Sequence, residues 1–339
     1  MIREAIAHLI EGRSISQTEA EQVMTEIMDG EATPAQLGAF LMALRTKGED
    51  VDEIAGLARV MRARALRVDV PDPDSLLDTC GTGGDSSHTF NISTAAALVA
   101  AGAGLRVAKH GNRAASSACG SADVLEAAGI TIDLEPERVA HCIESAGIGF
   151  MFAPRYHPAM RHAAAPRREI GVRTVFNILG PLTNPAHAGH QLVGVPRPEL
   201  VETIARVLGE LGARRAIVVH GADGLDEIAL SGPSIVAEYR DGQVTLSEIT
   251  PDQFGLAHAG VDTIRSADVE TSHRILSNVL NGEPGPYRDI VLINAAAALM
   301  AGEAAENLAE GLETARESID SGAARDRLNS LAAASRENF

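Results

Sequence analysis

Two proline-aspartate pairs, Pro71-Asp72-Pro73-Asp74, divide the chain into stretches of different hydrophobic period, and this change limits the possible folds more than any other feature. Proline removes a backbone donor and pushes the residue before it out of α geometry, so neither a helix nor a central strand runs through the segment. Before it, apolar residues recur only at helical spacing: Ile2, Ile6, Leu9 and Ile10; Leu37, Phe40, Leu41 and Leu44; Ile54, Leu57, Ala58 and Met61. Start signals precede these runs: Ser16 with Glu19, Thr33 with Pro34 and Gln36, and Asp50 with Glu53 after Gly48. After it, residues 76–80, 104–109, 148–152, 191–195 and 216–220 suit short strands, and 93–103, 121–128 and 199–211 suit helices. Asp241-Gly242 between 235–239 and 244–248 signals a hairpin, and the C-terminal stretch is helical. Strands alternating with helices predict an α/β fold: a small all-helical domain, residues 1–70, and a larger domain, 71–339, with a mostly parallel central sheet. A helical segment near 185–205 is expected to complete the smaller domain.

The net charge of −17 opposes contact with nucleic acid or anionic membranes. Two basic islands interrupt it. Residues 86–122 hold no acid beside Arg106, Lys109 and Arg113; residues 154–180 hold only Glu169 beside Arg155, Arg161, Arg167, Arg168 and Arg173. Such islands suit a small anionic ligand better than a polymer. Cys80, Cys119 and Cys142 form neither a disulfide framework nor a zinc pattern, and no segment has the make-up of a signal peptide or a membrane span, so a cytoplasmic protein is expected.

Chemistry concentrates in a few places. Gly81-Thr82-Gly83-Gly84-Asp85 directly follows a strand, and closely spaced glycines let backbone amides approach a phosphate. It lacks the Gly-Lys-Ser/Thr of a Walker loop and is not a dinucleotide fingerprint. Asn91-Ile92-Ser93-Thr94 opens a helix, whose amide end is a second anion seat; the Ser93 and Thr94 hydroxyls suit a metal, a phosphate or a plain cap. Cations, amides and hydroxyls crowd the segment from Lys109 to Asp123 at a strand's carboxyl end. Asp226-Glu227 offers hard oxygens of the kind Mg²⁺ takes, though such a pair is ordinarily surface charge. Arg167 and Arg168 are suited to clamping a carboxylate.

The motifs DTCGTGGD, FNIST, KHGNRAASS, GSADVLEAAG, FMFAPRYHPAMRH, FNILGPLTNP and GLDEIAL, in this order, closely resemble the anthranilate phosphoribosyltransferase family. The resemblance runs from about residue 5 to residue 330. It implies transfer of the phosphoribosyl group of 5-phosphoribosyl 1-pyrophosphate to the amine of anthranilate, the second step from chorismate to tryptophan. It also implies a fold like that of nucleoside phosphorylases, a homodimer joined through helical domains, and two Mg²⁺ ions. The donor would meet Gly81, Gly84, Asp85, Thr89, Asn91, Ser93, Thr94, Lys109, Ser117 and Ser121, with Gly111, Arg113 and Ser116 in the same segment. Magnesium would be held by Ser93, Asp226 and Glu227. Anthranilate would meet Gly81, Asn112 and Arg167, with His110, Tyr156 and Pro181 nearby. No general base is assigned; Lys109 would stabilise charge on the leaving group. The chain departs from the family at Ala118 and Cys119, where relatives often carry a longer polar residue and a serine. A related pyrimidine nucleoside phosphorylase would need Gly-Gly-Val-Gly-Asp-Lys, whereas Ser86-Ser87-His88 follows Gly84-Asp85 here.

Overall fold

A computed structural model describes residues 1–83, 85, 87–114 and 118–337. The chain opens with four helices, α1 (Ile2–Ile10), α2 (Gln17–Met28), α3 (Pro34–Lys47) and α4 (Val51–Ala63). Ser16 with Glu19 and Thr33 with Gln36 form the expected reciprocal capping boxes. At Asp50 only half of the device forms. Its N–H donates to Glu53 at 2.8 Å, but its carboxylate takes Ser14 and Lys47 instead. Glu53 is fully buried because Lys47 lies 3.0 Å away and the Ile15 N–H donates to it at 3.1 Å.

Seven strands follow: β1 (Leu76–Gly81), β2 (Arg106–Gly111), β3 (Ile148–Phe152), β4 (His190–Gly194), β5 (Arg215–Gly221), β6 (Ser234–Arg240) and β7 (Gln243–Ile249). Their order is β3-β2-β1-β4-β5-β6-β7. The first five in this order pair parallel; β6 and β7 are the expected hairpin and pair antiparallel. From β1 the chain winds outward through β2 and β3, then crosses back to place β4 on the other side of β1. The carboxyl ends of β1 and β4, with Gly81 opposite Gly194, therefore flank the switch point where open α/β sheets bind ligands.

Alternate residues of the sheet feed two cores. Val193, Val195, Ala216 and Val218 face the core shared with the first four helices; Leu192, Ile217 and Val219 face the other. The segments that join the helical domain's core are the helices Arg161–Ile170, Val175–Leu179 and Leu200–Glu210. Within the expected completing segment near 185–205, His190–Gly194 is the buried strand read from the sequence, and the helix beginning at Leu200 packs on α4.

On the opposite face lies α5 (Ile92–Gly102), almost entirely buried between sheet and the helix Pro286–Ala301. A helix apolar on every side needs such a place, and the alanine-rich composition of both lets them approach closely. A third helix, Leu308–Asp320, packs on Pro286–Ala301 as closely: a Cβ on its Gly311 would sit 2.7 Å from the Ala296 carbonyl. Among the described residues no helix is long and apolar enough to cross a membrane.

Candidate active site at the carboxyl edge of the sheet

The turn leaving β1 is built by close approach. The Thr82 N–H donates to Gly194 O at 2.9 Å and the Gly83 N–H to Asp226 Oδ2 at 2.8 Å. Gly83 has φ +70°, a left-handed conformation that favours glycine. A Cβ on Gly81 would overlap the Asp226 carboxylate, one on Gly194 the Asp226 carbonyl, and one on Gly221 the Glu227 carbonyl. Glycines at or near the carboxyl ends of β1, β4 and β5 thus make room for Asp226-Glu227 to lie across the sheet edge.

That pair is not surface charge. Asp226 is 9% exposed and Glu227 8%. Burial, then the nearby Asp85 carboxylate, lifts the Asp226 pKa to about 7. Burial and Asp226 push Glu227 well above the carboxylate range, although the Ser93 N–H at the start of α5 donates to it. Asp85 itself accepts from the Ser87 hydroxyl. Buried like charges of this kind call for a cation. Among the described residues no three His, Cys, Asp or Glu side chains could hold an ion by themselves. Two carboxylates and a serine hydroxyl beside a phosphate-sized turn do fit Mg²⁺, which takes few protein ligands and completes its shell with water and substrate phosphates.

Lys109 ends up behind this turn. It is 2% exposed, and its Nζ donates to Thr79 O at 2.6 Å and Ser93 Oγ at 3.4 Å. Burial lowers its pKa while Asp78 opposes that shift. Asp78 is the site's main residue that motif spacing did not single out. Fully buried, it accepts from the His110 N–H at 3.1 Å and from Asn184 Nδ2 at 2.8 Å. Asn184 also donates to Ala108 O at 2.8 Å, so one amide clamps β1 to β2. Both residues lie within quoted motifs; only their separation in sequence concealed the pairing.

The His110 and His157 rings lie 5.1 Å apart, inclined by 54°. Burial holds their pKa values down to about 3 and about 4, so both rings are neutral at pH 7. The Gly180 carbonyl bonds to the His110 ring and the Thr183 carbonyl to His157. Four buried polar atoms at this edge lack a protein partner among the described residues: Thr82 Oγ1, Thr94 Oγ1 and Nε2 of both histidines. Arg167 is a fifth group awaiting a partner. It lies 4.9 Å over the Phe176 ring, and burial alone, with no acid opposing it among the described residues, lowers its pKa. Phe176 precedes Gly180 by one helical turn, which brings the arginine and His110 onto one wall.

The remaining expectations divide. Gly81, Asp85, Asn91, Ser93, Thr94, Asp226 and Glu227 gather at the switch point. Thr89 lies beside them, its hydroxyl 3.5 Å from Ser87 Oγ. Gly111, Asn112 and Ser121 meet at the end of β2: the Ser121 hydroxyl donates to Asn112 O at 3.3 Å, and a Cβ on Gly111 would overlap it. Arg113 departs from expectation. Its guanidinium pairs with Asp123 at 2.9 Å and Glu126 at 2.8 Å and covers Phe152, so its charge is already neutralised. Tyr156 also departs: it is wholly buried and its hydroxyl donates to Leu134 O at 3.0 Å. The Pro181 carbonyl accepts from Gln191 at 2.9 Å. Gly84, Ser116 and Ser117 lie outside the described residues.

Known proteins share this architecture. A family model described as the helical bundle domain of a glycosyl transferase family matches residues 3–65, and that family's a/b domain matches residues 73–325. An anthranilate phosphoribosyltransferase from Symbiobacterium thermophilum is 57% identical over 96% of this chain and 95% of its own. The crystal structure of the Thermus thermophilus anthranilate phosphoribosyltransferase superposes with TM-score 0.92 at 44% identity, covering 98% of this chain and 99% of the other. The Saccharomyces cerevisiae enzyme in complex with PRPP and Mg superposes at 0.89 with 29% identity, covering 98% and 97%.

Proposed function

The chain belongs to the anthranilate phosphoribosyltransferases, and on that premise we propose that it joins the ribose of 5-phosphoribosyl 1-pyrophosphate to the amine of anthranilate. The products are N-(5-phosphoribosyl)anthranilate and pyrophosphate, the second step from chorismate to tryptophan. One observation carries the reading to this chain's own residues. Buried carboxyls that want a cation lie at the sheet edge, and a half-buried arginine that wants an anion lies on a helix of the other domain's core. A magnesium-bound pyrophosphate answers the first, an aryl carboxylate the second.

In this reading the pyrophosphate lies over the Gly81–Asp85 turn and the amide end of α5, with Ser93, Asp226 and Glu227 holding Mg²⁺ among its oxygens. Two ions, a cytoplasmic location and a homodimer joined through the helical domains belong to the same proposal. When bound, Mg²⁺ neutralises charge on the phosphates. Arg167 receives the anthranilate carboxylate and so turns the amine toward the anomeric carbon. As the bond to pyrophosphate breaks, positive charge develops on the ribose ring as in glycoside hydrolysis. The turn amides stabilise the departing oxygens, and Lys109 adds its charge from behind through Thr79 and Ser93. The amine lone pair forms the new carbon–nitrogen bond, and the nitrogen then releases a proton. An aryl amine is neutral at pH 7, so binding needs no prior deprotonation. The chain's main contribution is positioning and exclusion of water.

The test is anthranilate fluorescence. Purified protein, the donor and Mg²⁺ together should quench it, and leaving out any one should abolish the loss. Persistence of fluorescence with all three present, while the donor still binds, would show that the acceptor is a different amine or nucleobase.

A further inference from the structure

Asn91 stands before α5 without capping it with its side chain. It is held crosswise instead. Its Oδ1 accepts from the Ser272 hydroxyl at 3.0 Å, and its Nδ2 donates to the Cys119 carbonyl at 3.2 Å. Ser272 is wholly buried on the helix Val269–Leu280. The same hydroxyl lies against the thiol of Cys119.

Donor and acceptor chemistry allows the Asn91 amide one orientation. A carbonyl can only accept, so the Cys119 oxygen decides which end of the amide carries the nitrogen. Oδ1 then needs a donor, and the single proton of Ser272 supplies it. The Cys119 thiol donates to Gly120 O at 3.5 Å, so it does not compete for the Asn91 oxygen. The Asn91 amide is thus held at both ends, and one of its N–H groups remains outside these bonds.

We infer that Ser272 is a positioning residue for the phosphoribosyl donor: it locks the Asn91 amide so that its free N–H faces the anion seat at the start of α5. The inference rests on the donor-seat reading above. Without Ser272 the amide loses the donor that holds Oδ1, and a turned amide would present an acceptor to an anionic ligand.

Steady-state kinetics of Ser272→Ala, Asn91→Ala and the double variant test this. Ser272→Ala should raise KM for the donor about tenfold, with KM for anthranilate and kcat changed by less than about twofold. Ser272→Cys, similar in size with a weaker donor, should shift the same way by less, and it serves should alanine fail to fold. In the Asn91→Ala background, Ser272→Ala should add nothing. An unchanged donor KM in Ser272→Ala, or equal rises in both KM values, overturns the positioning role. An unchanged donor KM in Asn91→Ala overturns the donor-seat reading itself, and the inference with it.

Discussion

At the scale of single residues, the informative signal is a buried polar group whose partner is not protein. Arg167 is the clearest case. A half-buried guanidinium stacked on Phe176 stays charged at neutral pH and is free to take an anionic ligand. Arg167→Ala should raise KM for anthranilate by about tenfold to a hundredfold, the equivalent of one charge-assisted contact, and leave KM for the donor within about twofold. Saturation curves for both substrates read this out; parallel rises would remove Arg167 from the acceptor seat. Arg113, by contrast, looks as promising in the sequence and is spent on Asp123 and Glu126 one helix away. Local sequence shows residue type but not the state of pairing. For the same reason Asp226-Glu227 has the composition of surface charge. Its burial is imposed by glycines at or near the ends of three strands that lie far apart in the chain.

At the scale of elements, what was legible is what local chemistry determines. The capping signals at Ser16 and Thr33 mark real helix starts, Asp241-Gly242 marks the hairpin, and the strand before Gly81 forms where its apolar run falls. The order of the strands was not legible, because a parallel crossover leaves no residue pattern that says on which side of β1 the next strand pairs. Asp78 and Asn184 escaped notice on the same ground: they meet only because β1 and β2 are neighbours. Within the stretch 185–205 the strand and the helix fall where their apolar patterns place them, and the helix Leu200–Glu210 lends its apolar face to the helical domain's core. The glycine cradle gives a test at this scale. In Gly194→Ala the new Cβ overlaps the Asp226 carbonyl while β1 and β5 hold β4 from both sides, so Asp226-Glu227 must move. Overpacking of this kind costs about 1–3 kcal/mol of stability. Misplacement of the pair by about 1 Å should lower kcat about a hundredfold. Gly260→Ala, with open space around its Cα, is the control for urea denaturation and turnover alike. Wild-type kcat in Gly194→Ala would show that the pair's position is immaterial.

At the scale of the whole molecule, the two domains are joined by side chains as well as by chain. Arg62 of α4 is half-buried, and its guanidinium donates to Leu182 O at 2.6 Å and Leu211 O at 2.9 Å. It pins the helical domain to the turn that bonds His110 and His157 and to the end of the helix Leu200–Glu210. The wall carrying Arg167 belongs to the helical domain's core, whereas the glycine turn and the carboxyl pair belong to the sheet. Acceptor seat and donor seat thus come from different bodies that meet at the topological switch point. A crystal structure with Mg²⁺, the donor and a non-reacting anthranilate analogue tests this account most directly. It predicts pyrophosphate over Gly81–Asp85 and the start of α5, metal on Asp226 and Glu227, and the analogue's carboxylate on Arg167. Pyrophosphate bound instead between Arg45, Arg173 and Arg197, with Asp226-Glu227 free of metal, would contradict it.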